Sequence, residues 1–187
     1  IFQSNLLLEV FEENPFLSDF YGDRQRYAFQ TQIFFLLSRY HQQRRTVAEL
    51  LKDKEHLLAD YTFEKDALFA EINLKGDELE MYYRVHQALA ETIIPPDLIV
   101  YLRADTEILM QRIALRDRSY ERNMEVGYIA ELNQAYEKFF ADHQGRRSPV
   151  LTIDTNDLDF VRYPEHLSEV ANRIRQALKQ PPFQTEF

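Results

Sequence analysis

The sequence predicts an α/β protein built on a parallel sheet flanked by helices. Two observations carry that reading: short apolar runs alternate with longer helical patterns, and several of those runs close on an acidic residue. A parallel pair needs a crossover connection, usually a helix, so alternation of this kind produces a sheet covered on both faces. Ligands then gather outside the carboxyl ends of the strands, where the acids fall.

The elements follow in order. Phe2-Gln3-Ser4-Asn5 resembles the remnant of a tag-cleavage site, so residues 1–5 are set apart and residues 6–187 are read as one domain. Leu6-Leu7-Leu8-Glu9-Val10 is the first strand, and Asn14-Pro15 breaks the chain before a helical segment. Residues 26–45 carry Tyr27, Phe29, Ile33, Phe34, Leu36, Leu37 and Tyr40 without glycine or proline, which predicts the longest helix. Runs at 57–60, 98–102 and 150–153 supply three more strands, the second introduced by Pro95-Pro96-Asp97. Helical patterns fill residues 62–73, 76–93, 105–117, 124–143 and 164–180.

Composition narrows the function. A chain of 187 residues, 45% hydrophobic, is enough for one buried core. The formal net charge of -9 argues against a nucleic-acid polymer as partner unless basic residues are concentrated in one place. No apolar run approaches the roughly 20 residues of a membrane helix, and no signal peptide opens the chain. With no cysteine there is neither a disulfide framework nor a thiolate zinc site, which fits a cytoplasmic protein. The five histidines show no metal spacing and are read as surface residues, and no nucleophile elbow is present.

Three constellations carry chemistry. Arg112 and Arg116 share a helical face and Arg118 follows in a loop before Glu121; these guanidiniums are either clamps on phosphoryl oxygens or a solvated patch at a helix C-terminus. Glu9 and Asp60 each close a strand, where a carboxylate accepts a proton from a substrate hydroxyl or simply caps the next helix. Gln32 and Arg39 lie seven apart on the long helix, nearly on one face; the Gln32 amide either reads the edge of a nucleobase stacked on Phe29 or Phe35 or is a buried amide satisfied by the backbone. Asp66 is placed to pair with Arg39, across a pocket or on the surface.

The ordered run from Glu9 through Asn14-Pro15-Phe16-Leu17, Phe20-Tyr21, Arg26 to Gln32 and Ser38-Arg39 resembles the deoxynucleoside kinase family, particularly the bacterial deoxyadenosine and deoxyguanosine kinases. Residues 60–69, Pro96-Asp97-Leu98-Ile99 and the Arg112 to Glu121 cluster extend the match, which spans Leu6 to about Leu178. The resemblance implies a P-loop-kinase-like fold and transfer of the terminal phosphoryl group of ATP, with Mg2+, to the 5'-hydroxyl of a deoxynucleoside. It implies Glu9 as the carboxylate that receives the hydroxyl proton, with Glu12 and Glu13 as alternatives if the register differs. It also implies Tyr21 and Glu121 on the sugar 3'-hydroxyl, Gln32 on the base, and Arg39 with Asp66 at the base edge. Arg112, Arg116 and Arg118 match the lid arginines that embrace the donor phosphates, and Asp154 opens the loop over the donor adenine. The Arg39 with Asp66 pair is the version that favours a purine, with deoxycytidine kept open, and a homodimer is expected.

The sequence departs from the family pattern in two places. Tyr61 follows Asp60 where an arginine is expected, and Lys65 comes only some residues later. No G-x-x-x-x-G-K-[ST] phosphate loop occurs, and the strand that carries it would precede Leu6. The expectation is either an N-terminally shortened form or a degenerate member, inactive in transfer as it stands. A non-catalytic nucleoside-binding module and a dimeric interaction protein are the alternatives.

Overall fold

The computed structural model describes residues 2–9, 13–52, 56–118, 121–122, 124–141 and 148–181. Strand β1 (Ser4–Leu7) is followed by α1 (Leu17–Gly22) and α2 (Arg24–Gln42), which runs on through a π-helical turn (Gln43–Val47) into the short α3 (Ala48–Leu50). Then come β2 (His56–Ala59), α4 (Lys65–Asn73), α5 (Gly76–Ala90), β3 (Ile99–Arg103), α6 (Thr106–Arg116), α7 (Val126–Ala141), β4 (Val150–Asp154) and α8 (Pro164–Ala177).

Both strand pairings are parallel, β1 with β2 and β3 with β4. Among the described residues they form two separate pairs rather than one four-stranded sheet. An apolar run marks a strand but not its neighbour, which long-range hydrogen bonding selects. Strand β1 also starts two residues earlier than expected. Ser4 and Asn5, set apart in the sequence, pair with His56 and Leu57, and Asn5 Nδ2 donates to the Leu50 carbonyl at 2.6 Å. Val10, Glu12 and His143 lie outside the described residues.

Helix α2 is the spine of the molecule. Asp23 caps it, accepting from the Arg26 amide at 3.2 Å and satisfying one donor of the first turn. Its buried positions are Ala28, Thr31, Gln32, Leu36 and Arg39, a single stripe at helical spacing. The apolar members pack with Phe20 of α1, Phe63, Ala70 and Leu74 around α4, and Tyr82 of α5. His86 joins this core instead of facing water, stacked on Phe63 at 4.7 Å and on Tyr82 at 6.1 Å between centroids. A second cluster of Ile99, Tyr101 and Phe140 joins β3 to α7.

The end of α6 sets the direction of the next loop. Asp117 takes a left-handed conformation (φ 48°), which stops the helix and which aspartate tolerates better than most residues. Arg122 donates to both Asp117 oxygens, at 2.8 and 3.0 Å, and holds that turn.

Leu36 is fully buried at the centre of the larger core. Leu36→Ala is expected to cost about 2–5 kcal/mol in denaturant unfolding. Leu115→Ala, at a side chain 85% exposed, is expected to stay within about 0.5 kcal/mol of the parent.

Candidate active site

The parallel register of β1 and β2 brings their carboxyl ends together. The Asp60 amide donates to the Leu7 carbonyl at 3.3 Å, and two residues beyond the strand the Glu9 amide donates to Asp60 Oδ1 at 2.8 Å. Asp60 thus fixes the backbone of Glu9, whose side chain turns into a cavity of about 400 Å³. That volume lies in the ordinary range for small-molecule sites.

Arg39 reaches the same place from α2. One guanidinium nitrogen, Nη2, contacts Glu9 Oε1 and the other, Nη1, contacts Asp66 Oδ1 in the first turn of α4. The group is flanked by the Phe35 ring, 4.9 Å from Cζ to centroid, and by Tyr61 at 5.7 Å. Arg39 and Asp66 are almost wholly buried, so each needs the other's charge. Lys65 Nζ donates to the second Glu9 oxygen at 3.2 Å. Burial pushes the Glu9 carboxyl up, but Arg39 and Lys65 outweigh it and hold the group below its ordinary value, ionised at neutral pH.

Glu121 closes the opposite side. It is buried and receives Arg116 through Nη2 at 2.8 Å and Nε at 3.1 Å, with Arg118 Nη1 3.7 Å away. Glu9, Tyr21, Gln32, Arg39, Arg116, Arg118 and Glu121 therefore line one cavity. Asp66 does not line it but stands directly behind Arg39. Glu13 is exposed and away from the cavity, so among the described residues Glu9 is the carboxylate of this segment that lines it; Glu12 lies outside them.

Two expected site residues stand elsewhere. Arg112 does not line the cavity; its guanidinium donates to Thr155 Oγ1 at 2.9 Å, the Thr155 carbonyl at 2.5 Å and the Leu158 carbonyl at 3.1 Å. Four residues along a helix are roughly 6 Å of axis, enough at a helix end for Arg112 and Arg116 to meet different neighbours. Asp154, at the end of β4, accepts from the Asn156 amide at 3.0 Å and pairs with Arg103 at 3.4 Å, also away from the cavity.

The structure adds Thr31, Phe69, Tyr128 and Tyr136 to the lining, and brings to it Lys65, which the sequence offers only some residues after the place where an arginine is expected. Tyr128 and Tyr136 are eight apart and so share one helical face, a signal present in the sequence. The pairing of Lys65 with Glu9 had no such signal. Tyr61, standing where an arginine was expected, is buried and donates its hydroxyl to Gln42 Oε1 at 2.8 Å, while Gln42 Nε2 donates to the Leu8 carbonyl at 2.7 Å. It braces the backbone next to Glu9 and brings no charge, since burial raises its pKa.

Asp66→Ala strands the Arg39 guanidinium in a buried place with half its counter-charge. A loss of about 3–5 kcal/mol in denaturant unfolding is expected, and clearly less when Arg39→Met accompanies it, because no uncompensated charge then remains.

Comparison with known proteins places this geometry. The deoxynucleoside kinase family model matches residues 2–179. The chain is 31% identical over 175 residues to the deoxyguanosine kinase of Bacillus subtilis (strain 168), covering 92% of this chain and 84% of that protein. It is 34% identical over 172 residues to the deoxyadenosine kinase of Dictyostelium discoideum, covering 89% and 67%. The solved structure of deoxyadenosine kinase from M. mycoides with bound dATP superposes with a TM-score of 0.76 at 25% identity, covering 92% of this chain and 86% of that one. With an ordered match over nearly its whole length and a cavity at the ends of parallel strands, this chain belongs to the deoxynucleoside kinase family of phosphotransferases.

Proposed function

We propose that the cavity binds a deoxynucleoside, with a preference for purines, and presents its 5'-hydroxyl to Glu9 for transfer of the terminal phosphoryl group of magnesium-bound ATP. The observation that carries this is the convergence of Glu9, Gln32 and Arg39 with Arg116, Arg118 and Glu121 on one cavity. Gln32 and Arg39, roughly 10 Å apart along the α2 axis, span a base edge, and Phe35 and Phe69 supply apolar lining. Tyr21 and Glu121 also line the cavity and are assigned the sugar 3'-hydroxyl in this reading. Relatives named for deoxyguanosine and deoxyadenosine support a purine, and the M. mycoides enzyme solved with dCTP keeps a cytosine nucleotide in view.

A carboxylate held below its ordinary pKa is a weak base but a ready hydrogen-bond acceptor. That suits phosphoryl transfer, in which the transition state is loose and positioning dominates over early proton removal. Among the charged residues that line the cavity, Arg39, Lys65, Arg116 and Arg118 stand against two carboxylates, Glu9 and Glu121, with Asp66 behind Arg39 and Asp60 behind Glu9. The lining is thereby left cationic in a chain of net charge -9, as an anionic donor requires. Magnesium arrives with the triphosphate as part of that substrate.

Arg112 and Asp154 belong to this proposal as residues of the donor side, with Arg112 acting by holding the loop that follows Asp154. Residues 6–187 working as one kinase domain, a homodimer, and a cytoplasmic setting complete it on the strength of the family resemblance. Among the described residues no helix is long and apolar enough to cross a membrane.

A second reading applies to the 187 residues by themselves. Their sequence holds no G-x-x-x-x-G-K-[ST], the loop whose amides and lysine cradle the donor phosphates. Losing a single oxyanion-type donor costs about 100-fold to 1000-fold in rate, so these residues alone are proposed to bind the nucleoside while transferring phosphate near background.

One experiment has two arms. Deoxyadenosine, deoxyguanosine or deoxycytidine at 100 times its dissociation constant is expected to stabilise the chain by about 2.7 kcal/mol, an effect that Gln32→Leu abolishes. Transfer from magnesium ATP is expected only from a form that also carries a phosphate loop. Absence of any thermal shift with all three nucleosides would remove the nucleoside site; equal turnover by both forms would remove the second reading.

Selectivity is expected to reside in Arg39 and Asp66. In an active form, the joint Arg39→Met and Asp66→Leu replacement is expected to lower the preference for purines over thymidine by about 10-fold or more in kcat/KM, the value of one hydrogen bond to a charged group. An unchanged order among the four deoxynucleosides would contradict that assignment.

A further inference from the structure

Lys65 stands at the first position of α4, immediately before Asp66, and its side chain is 17% exposed on the wall of the cavity. Its Nζ is 3.2 Å from Glu9 Oε2, and the ammonium passes 6.0 Å from the Phe69 ring. Among the described residues, Glu9 is the carboxylate within ion-pair distance of it. Arg39, by contrast, has two carboxylates, Glu9 and Asp66.

The four groups form a compensated cluster, two cations against two anions. That balance depends on the ionisation of Glu9. If Glu9 takes a proton, Arg39 keeps Asp66, but Lys65 loses its partner, and the surplus positive charge falls on Nζ at the cavity wall. Arg116 and Arg118 line the same cavity.

Resting on the reading of this site as a nucleoside kinase, we propose that Lys65 is a phosphate-contacting residue that pairs with Glu9 before transfer and with the new 5'-phosphate after it. In the transfer step the 5'-oxygen bonds to the terminal phosphorus. The bond from that phosphorus to the bridging oxygen breaks, its electron pair leaving with the nucleoside diphosphate, and the hydroxyl proton passes to Glu9. Glu9 turns neutral as the nucleoside acquires its phosphate charge, so the ammonium exchanges one anionic partner for another across a single hydrogen-bond shell. Lys65 then supplies the cation that Tyr61, braced on Gln42 and neutral, does not.

The surroundings agree with that exchange. Burial lowers the pKa of the ammonium and Arg39 lowers it further, while Glu9 and Asp60 oppose them. A desolvated lysine whose charge rests on a neighbouring anion binds strongly to whichever anion replaces it. The lysine stem is also flexible enough to swing, where the Arg39 fork is locked by Asp66.

The test uses the 187-residue chain and needs no turnover. Wild type, Lys65→Met, Lys65→Gln and Lys65→Arg are titrated calorimetrically with deoxyadenosine, deoxyguanosine and deoxycytidine and with their 5'-monophosphates, after thermal unfolding has shown which variants are folded. Lys65→Met and Lys65→Gln are expected to weaken the monophosphates by about 10-fold to 100-fold, the range of a charge-assisted hydrogen bond, and the nucleosides by less than about threefold. Lys65→Arg is expected to restore most of the monophosphate affinity. An unchanged ratio of monophosphate to nucleoside affinity in a folded neutral variant would overturn the role of Lys65 while leaving the nucleoside site standing. Wild type that binds neither class would overturn the kinase reading itself, and the role of Lys65 with it.

Discussion

Arg39 is the point at which three elements are tied together. Its guanidinium links Glu9, just past the end of β1, to Asp66 in the first turn of α4, and its backbone belongs to α2. In water such contacts contribute little, but here the guanidinium and Asp66 are nearly dry: removing Arg39 would leave Asp66 buried without a counter-charge, and removing Asp66 would leave Arg39 with Glu9 alone. The packing of α2 against α4 around Leu36, Ala70 and Leu74 keeps water out. The apolar core and the buried ion pair therefore depend on each other.

The same ion pair sets the chemistry of the cavity. Arg39 and Lys65 outweigh the desolvation of Glu9 and hold its carboxyl below the ordinary value, so its charge is a property of α2 and α4 as much as of its own segment. Asp60 adds the backbone constraint through the Glu9 amide. A carboxylate held at three points loses little further freedom when a hydroxyl arrives, which is the sense in which such a site is preorganised.

On the other side, Arg116 and Glu121 satisfy one another bidentately across the turn made by Asp117. Arg112, one turn earlier, is committed to the loop after β4 and serves its shape. Helices that look uniform in sequence thus give their cations different partners according to what stands opposite each turn.

The amino-acid sequence by itself determined the parallel α/β character, the long α2, the positions of Glu9, Gln32, Arg39 and Glu121 as members of one ordered pattern, and the membership that follows. These are local or ordinal properties: apolar period, strand-closing acids, and residues at matching spacing. Tertiary structure alone decided the rest. It split the strands into two hydrogen-bonded pairs, began β1 at Ser4, drew His86 into the core, and moved Arg112 and Asp154 away from the cavity. It also brought Lys65 to Glu9 across 56 residues of chain. The physical reason is common to all of these. A pattern along the chain specifies which way a side chain leaves its own helix or strand, whereas its partner and its burial are set by elements far away in sequence, and a lysine one residue before Asp66 reads the same whether it meets water or the carboxylate of Glu9.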